Sequence, residues 1–157
     1  SAKSNNFLKE LGADIIIDYK NSDFEDRLND YDVVLNSQDK KTLEKSVRVL
    51  KPGGKLISIS GPPTPDFARE IQLPWLVRAI IFLISSGIRK KAKSHNIDYS
   101  FLFMRAEGEQ LAKITKLIEA EEIKPVIDKV FAFDSGNEAL SYVESGRAKG
   151  KVVIKIK

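Results

Sequence analysis

The pattern of apolar and polar positions alternates short apolar runs with longer amphipathic segments. The apolar runs predict strands or extended pieces at residues 13–18, 32–36, 56–60, 99–104, 130–133 and 151–157. The periodic segments predict helices at residues 4–11, 23–29, 41–50, 75–86, 107–120 and 135–145. Strands that alternate with helices are typical of a doubly wound parallel sheet. The predicted fold class is therefore α/β, with helices on both faces of such a sheet.

Polar residues stand at the ends of three successive predicted strands. They are Asp18-Tyr19, Asn36-Ser37 and Ser60-Gly61. Ligands of parallel α/β sheets bind at the carboxyl ends of the strands, so these ends are expected to line one crevice. The alternative interpretation is ordinary turn chemistry after each strand. The chain contains neither G-x-G-x-x-G nor a P-loop motif, so the strand ends come without a recognisable phosphate cradle.

Composition narrows the function classes. A chain of 157 residues that is 42% apolar has the size and core of one domain. Its net charge of +4 comes from basic residues spread along the chain, which favours anionic partners but does not indicate nucleic acid. The chain has no Cys and a single His, His95, so we predict no metal site and no Ser-His-Asp triad. The lack of Cys fits a reducing compartment, and a cytoplasmic location is expected.

The most apolar window is LPWLVRAIIFLI at residues 73–84. Arg78 interrupts it, and it is shorter than the ~20 apolar residues that a spanning helix needs. We predict a buried helix that covers the sheet, and we do not expect a membrane partner. An interfacial membrane helix is the alternative, because a basic run at residues 89–93 follows the window.

The segment LKPGGKL at residues 50–56 also occurs in methyltransferases that use S-adenosylmethionine, so the rest of the chain must decide between cofactor classes. The blocks SAKSNNFLKELGADIIIDYK, YDVVLNS, LKPGGKLISIS, FLFMRAEGEQLAKITKLIEAEEIKPVIDKVFAF and EALSYVESGRAKGKVVIKI are all present, in this order. Together they resemble the rear half of a medium-chain dehydrogenase/reductase of the zinc-free, quinone oxidoreductase-like branch. The resemblance covers nearly the whole chain.

This resemblance implies that residues 1–157 are a partial dinucleotide-binding domain with a C-terminal segment. The sheet would be an incomplete Rossmann-type sheet, with its first strands, its Gly-rich turn and the substrate domain outside this chain. The strand end at Ser60-Gly61 would face the nicotinamide half of the cofactor. The open sheet edges lead us to expect that these residues alone are unstable, aggregated or domain-swapped.

The resemblance also assigns candidate cofactor residues near the adenosine end. Ser1 and Lys3 would meet the ribose, where hydrogen-bond donors without a carboxylate favour NADP(H) over NAD. Tyr19 would pack near the adenine ribose-phosphate. The alternative roles are a helix cap for Ser1, a solvated first-turn residue for Lys3 and an exposed turn aromatic for Tyr19.

Other candidates fall near the remaining half of the cofactor. Asn36 and Ser37 would lie near a ribose, although Asn36-Ser-Gln-Asp-Lys40 lacks the two glycines of the family's Asp-x-x-Gly-Gly pattern. By the same resemblance, Phe103 and Met104 would shield the nicotinamide from water. Their alternative role is core packing in a strand.

Arg147 and Lys149 match a basic turn that would supply charge to the phosphates. Their alternative role is a solvated basic turn before the last strand.

The function implied by the resemblance is an NADPH-dependent oxidoreductase that transfers hydride to a small-molecule acceptor, either a quinone or an α,β-unsaturated carbonyl. The sequence leaves the catalytic residues unassigned. A non-catalytic dinucleotide-binding or interaction module is the alternative, and a methyltransferase is the third possibility. Relatives often join their last strands, so residues 152–156 are the candidate edge of a homodimer.

Overall fold

The computed structural model describes residues 5–156, in two compact units that meet in sequence between Met104 and Arg105. The first unit contains a three-stranded parallel sheet in the order β1-β2-β3. Its strands are β1 Tyr31–Asn36, β2 Leu50–Ser58 and β3 Asp98–Phe101. Its helices are α1 Asn5–Glu10, α2 Lys40–Val49, α3 Pro65–Glu70, α4 Trp75–Ile84 and α5 Ser86–Ser94. The parallel α/β class predicted from the sequence is confirmed.

The core of the first unit forms where α2 and α5 pack with the sheet. Leu43 and Val47 of α2 are fully buried, one helical turn apart. They cluster with Leu56 of β2 and with Ile88 and Ala92 of α5. Repetition at i and i+4 therefore gives each of these helices one apolar face, and both faces are buried in the same cluster.

The second unit is a smaller α/β arrangement. It contains α6 Gly108–Glu119, β4 Ile127–Ala132, α7 Gly136–Glu144 and β5 Lys151–Lys155. The strands β4 and β5 form a parallel pair, with α7 as the crossover between them. The described strands thus form two separate sheets, of three and two strands.

Several local predictions are wrong. Residues 13–18 form no strand: Ile15 is 60% exposed, and Asp18 instead accepts turn hydrogen bonds from Asn21 and Ser22. No described strand pairs with this segment, and an extended segment without a partner leaves its backbone groups without a ladder. The predicted helix at residues 23–29 is only a 3₁₀ turn, Phe24–Asp26.

Strand and helix boundaries also differ from the predictions. The strand β2 begins at Leu50, runs through Pro52-Gly53-Gly54 and ends at Ser58, two residues before the predicted end. The strand β3 ends at Phe101 instead of residue 104. The helices α3 and α5 were not predicted. At the start of α7, the Ser135 side chain makes no capping hydrogen bond.

Two predicted apolar faces are exposed. In α4 only Ile81 is buried, so the prediction of a buried covering helix is wrong for the described chain. In α6 no residue is buried, and Leu111 and Ile114 are 65% and 45% exposed. Too little of the described chain packs on these faces to bury them.

Candidate functional site

The carboxyl ends of β1 and β2 are joined by buried polar side chains. Asn36, the last residue of β1, is opposite Ser58, the last residue of β2. The Ser58 hydroxyl is fully buried and donates to Asn36 Oδ1 over 3.1 Å. The Ser60 hydroxyl lies 3.2 Å from the same oxygen. The predicted strand ends at Asn36 and Ser60 therefore do meet, and Ser58 connects them.

Gly61 lies in a tight turn immediately after this cluster. Its N–H donates to Ser58 Oγ over 2.8 Å. A Cβ atom at Gly61 would lie 2.7 Å from Leu43 Cδ2, 2.8 Å from Ser58 Oγ and 2.9 Å from the Tyr99 hydroxyl. Atoms at such distances overlap, so only glycine fits unless the side chains of Leu43, Ser58 and Tyr99 shift.

Tyr99 holds the next residue of the turn. Its hydroxyl donates to the carbonyl oxygen of Pro62 over 2.6 Å. Burial raises the pKa of Tyr99 to about 12, so the phenol remains a hydrogen-bond donor at any physiological pH. The turn at residues 60–62 is thus fixed from β1, β2 and β3 together.

Ser58 and Tyr99 were not singled out from the sequence. The sequence did carry a signal for Ser58, because a hydroxyl residue interrupts the apolar run of β2. A hydroxyl buried in a sheet needs a hydrogen-bond partner. No comparable signal marked Tyr99, whose role depends on the spatial neighbourhood of β2 and β3.

The remaining candidates of the first unit are more exposed. Ser37 is exposed immediately after Asn36. Tyr19 lies in a turn and is 76% exposed, and no described hydrogen bond or ring contact joins it to the Asn36 cluster. Ser1 and Lys3 lie outside the described residues.

Phe103 and Met104 follow β3 instead of belonging to it. Phe103 lies 6.3 Å from the ring of Phe101 and 6.2 Å from that of Phe67, yet it remains 60% exposed. Met104 is 82% exposed. Core packing in a strand, the alternative role for this pair, is therefore wrong for the described chain, and both side chains are available to contact a ligand.

Helix N-termini near these strand ends are occupied by the chain's own side chains. The Asp39 carboxylate accepts the Thr42 N–H over 2.8 Å at the start of α2, and this bond holds the pKa of Asp39 below its ordinary value. At α3, the Thr64 hydroxyl accepts the Phe67 N–H. Because a carboxylate already caps α2, this helix does not offer an anion site.

Arg147 and Lys149 lie in the second unit, in the turn between α7 and β5. Arg147 lines an open surface depression of about 610 Å³ that also includes Lys129 and Tyr142. The Tyr142 hydroxyl donates to Asp128 over 2.7 Å, and this bond lowers the pKa of the Asp128 carboxyl. The positive charge of the turn thus lies near the Asp128 carboxylate of β4.

Comparison with known proteins places this geometry in a family. The parallel sheets with their helices form a Rossmann-like fragment of the medium-chain dehydrogenase/reductase fold. The family model described as zinc-binding dehydrogenase matches residues 11–154. The chain belongs to this family, and it is a member of the quinone oxidoreductase-like part of the medium-chain dehydrogenase/reductase superfamily.

Individual relatives support the same assignment. The chain is 36% identical over 149 residues to the 2-methylene-furan-3-one reductase of Solanum lycopersicum, with 94% of this chain and 30% of the relative covered. It is 31% identical, with the same coverage, to the chloroplastic NADPH-dependent alkenal/one oxidoreductase of Arabidopsis thaliana. The chain thus spans about a third of the length of these curated relatives.

A solved structure shows the same fold. The quinone oxidoreductase of Coxiella burnetii matches with a TM-score of 0.75 at 22% identity, and the match covers 100% of this chain and 43% of that one. This likeness supports the fold of the described units.

The description of the matching family, zinc-binding dehydrogenase, raises the question whether this chain holds a zinc ion. Residues 5–156 contain no group of three or more His, Cys, Asp or Glu side chains that would hold a metal ion. The donor set of this part of the chain therefore does not fit a zinc centre, and no step of a mechanism is assigned to one. None of the described helices has the length and apolar character needed to cross a bilayer.

Proposed function

We propose that this chain is the cofactor-domain portion of an NADPH-dependent oxidoreductase. The observation that carries the proposal is the hydrogen-bonded cluster of Asn36, Ser58 and Ser60 at the ends of two adjacent parallel strands, in which Asn36 and Ser58 are buried and Ser60 is exposed. Such strand ends are where doubly wound sheets bind nucleotides. The name of the Arabidopsis relative, an NADPH-dependent alkenal/one oxidoreductase, supports the same class of enzyme.

In this function the chain's residues position a cofactor and exclude water. The bound nicotinamide supplies the hydride for a quinone or an α,β-unsaturated carbonyl. The fixed turn at Ser60 and Gly61 presents a rigid backbone edge, which lowers the entropy lost when a ligand is ordered. Phe103 and Met104 provide exposed apolar surface that shields a ring from solvent. Catalytic residues are not assigned within this chain.

Preference for NADPH is proposed from Ser1 and Lys3. A 2′-phosphate needs donors and positive charge, and the start of the sequence supplies both without a carboxylate. The name of the Arabidopsis relative, an NADPH-dependent oxidoreductase, supports this preference. Arg147 and Lys149 are proposed to add charge toward the cofactor phosphates.

The experiment measures NADPH binding and acceptor-dependent NADPH oxidation by the full-length protein that contains this chain. A panel of quinones and enones is expected to give turnover with NADPH and weaker turnover with NADH. Lys3→Glu is expected to raise the KM for NADPH tenfold or more and to leave that for NADH nearly unchanged, because the change opposes only the 2′-phosphate. Failure to bind either dinucleotide contradicts the proposal.

A non-catalytic module is the second candidate, and a specific observation motivates it. Residues 36–40 lack the family's glycine pair, and Asn36 is occupied by hydrogen bonds within the chain. Tight NADPH binding without turnover on the whole acceptor panel would favour this candidate. A methyltransferase finds no support in the family match, and S-adenosylmethionine serves as the control ligand in the binding assay.

Homodimer formation through the last strand is also proposed. Among the described strands, β5 pairs only with β4, which leaves its second edge open. The candidate edge at residues 152–156 would be extended by the same edge of a second copy. Light scattering of the full-length protein is expected to show a dimer, and a monomer at all concentrations would contradict the assignment.

A further inference from the structure

The outer face of α4 is an uninterrupted apolar stripe. Leu76, Ala79, Ile80 and Leu83 recur at the i, i+3, i+4 and i+7 spacing that places side chains on one side of a helix. All four are exposed, with Leu76 at 58% and Leu83 at 69%. The buried Ile81 lies on the opposite side.

The one charge of α4 does not break this stripe. Arg78 is three positions before Ile81 and therefore lies on the side of the helix that carries the buried residue. Trp75 begins the helix and is 74% exposed. An exposed aromatic end next to an apolar stripe is typical of helices that lie in a membrane interface.

The segment around α4 carries only positive charge. Residues 73–97 contain five Lys or Arg residues and no Asp or Glu. The whole chain has a net charge of +4, so the remaining residues together have a net charge of −1. Residues 73–97 thus carry a net charge of +5 without a carboxylate, although basic residues also occur elsewhere along the chain, as in residues 145–157.

The basic residues of α5 are held next to the end of α4. The Arg89 guanidinium lies 4.4 Å from the centre of the Phe82 ring and donates to the Phe82 carbonyl over 3.0 Å. Ile88 and Ala92 face the core, so Lys90 and Lys93 lie on the exposed side of α5. Neither lysine takes part in an ion pair found among residues 5–156, and both retain their charge for a partner.

We propose that α4 and α5 together bind the surface of an anionic lipid membrane. The apolar stripe of α4 enters the boundary between headgroups and acyl chains, while Lys90 and Lys93 contact the headgroups. Ten residues of helix are about 15 Å long, so α4 lies in the plane of the surface and does not span it. This assignment replaces the expectation of a buried covering helix and is independent of the proposed reductase activity.

Charge favours a bilayer over a second copy of this chain. Lys91 is paired with Glu44. Two copies facing each other through this segment would still bring the other four positive charges against four, with no carboxylate within residues 73–97 to compensate. An anionic bilayer instead offers a negative layer above an apolar one, which matches a basic helix beside an apolar helix.

The test is sedimentation of the full-length protein with vesicles of phosphatidylcholine alone or with phosphatidylglycerol added. We expect binding to the anionic vesicles and little binding to the neutral ones. Lys90→Gln with Lys93→Gln is expected to weaken binding about 25-fold, since each cation near such a surface contributes roughly fivefold. Leu76→Gln with Leu83→Gln is expected to weaken it tenfold or more.

Matched controls come from α6, which also has exposed apolar and basic residues. Lys113→Gln with Lys116→Gln removes the same charge, and Leu111→Gln removes a side chain that is 65% exposed. Neither control is expected to change vesicle binding. Quenching of Trp75 by brominated lipid, measured as the difference from Trp75→Phe, places α4 itself in the interface.

Several outcomes overturn the proposal. These are the absence of vesicle binding, an equal loss of vesicle binding in the α6 controls, and vesicle binding that depends neither on lipid charge nor on the Lys90 and Lys93 substitutions. A dimer in solution that dissociates on the Leu76 and Leu83 changes would assign the stripe to a second copy instead. Vesicle binding by a protein that does not oxidise NADPH would leave this proposal intact while contradicting the proposed function.

Discussion

Substitution of Gly61 tests whether the turn at the strand ends is as tightly fixed as the distances indicate. In Gly61→Ala the new methyl group lies within 3.0 Å of Leu43, Ser58 and Tyr99. None of these neighbours moves freely. Leu43 and Ser58 are fully buried, and the Tyr99 hydroxyl is bonded to the Pro62 carbonyl. The methyl group must therefore displace packed atoms.

The expected cost follows from overpacking. An added methyl group in a well-packed site costs about 1–3 kcal/mol. Displacing Ser58 also weakens the bond from the Gly61 N–H, which is worth about 1 kcal/mol. We therefore expect Gly61→Ala to lower the free energy of unfolding by about 2–4 kcal/mol. Urea unfolding of the full-length protein, followed by a probe in the first unit, measures the difference.

Gly87→Ala is the matched control. Gly87 lies in α5, and a Cβ atom there has no heavy atom within 4 Å. Alanine favours helix over glycine by up to about 1 kcal/mol, so this change is expected to be neutral or stabilising. If Gly61→Ala and Gly87→Ala give the same unfolding free energy, the close approach at the turn is not real and the steric reasoning is refuted.

Three further predictions concern the polar groups. Ser58→Ala is expected to destabilise the first unit by about 1–3 kcal/mol, because the Gly61 N–H loses its acceptor; an unchanged urea midpoint would count against the cluster. For Tyr99 the raised pKa predicts stability that is fully present below pH 10 and lost as the pH rises toward 12, and Tyr99→Phe should flatten alkaline unfolding curves in that window. For Asp128 the lowered pKa predicts stability that is present above pH 3.8 and lost as the pH falls further. Asp128→Asn should therefore reduce the acid dependence of the unfolding free energy. An unaltered dependence at acid pH would exclude the Tyr142 bond as its source.

The elements predicted best from the sequence are those whose regularly spaced apolar residues pack against neighbouring segments of the described chain. In α2 the positions Leu43 and Val47 are one turn apart, and the helix begins within one residue of the prediction. Residues 13–18 show the opposite case, because an apolar run becomes a strand only when another strand pairs with it. The missed helix α3 did carry a local signal, since Thr64-Pro65 is a cap followed by a first-turn proline.

Part of the candidate site was also predictable from the sequence. Asn36 and Ser60 follow from the rule that strand ends of a parallel sheet lie at one edge. Ser58 and Tyr99 depend on register, which sets Asn36 opposite Ser58 and places β3 beside β2. Register is a property of pairing in three dimensions, and single-sequence periodicity does not determine it.

Among the described strands, β4 and β5 pair with each other and with none of the first three strands. Local unfolding in such an arrangement is expected to occur in two separable steps. Amide protons of β4 should then exchange with deuterium at the same rate as those of β5, and at a rate different from those of β1, β2 and β3.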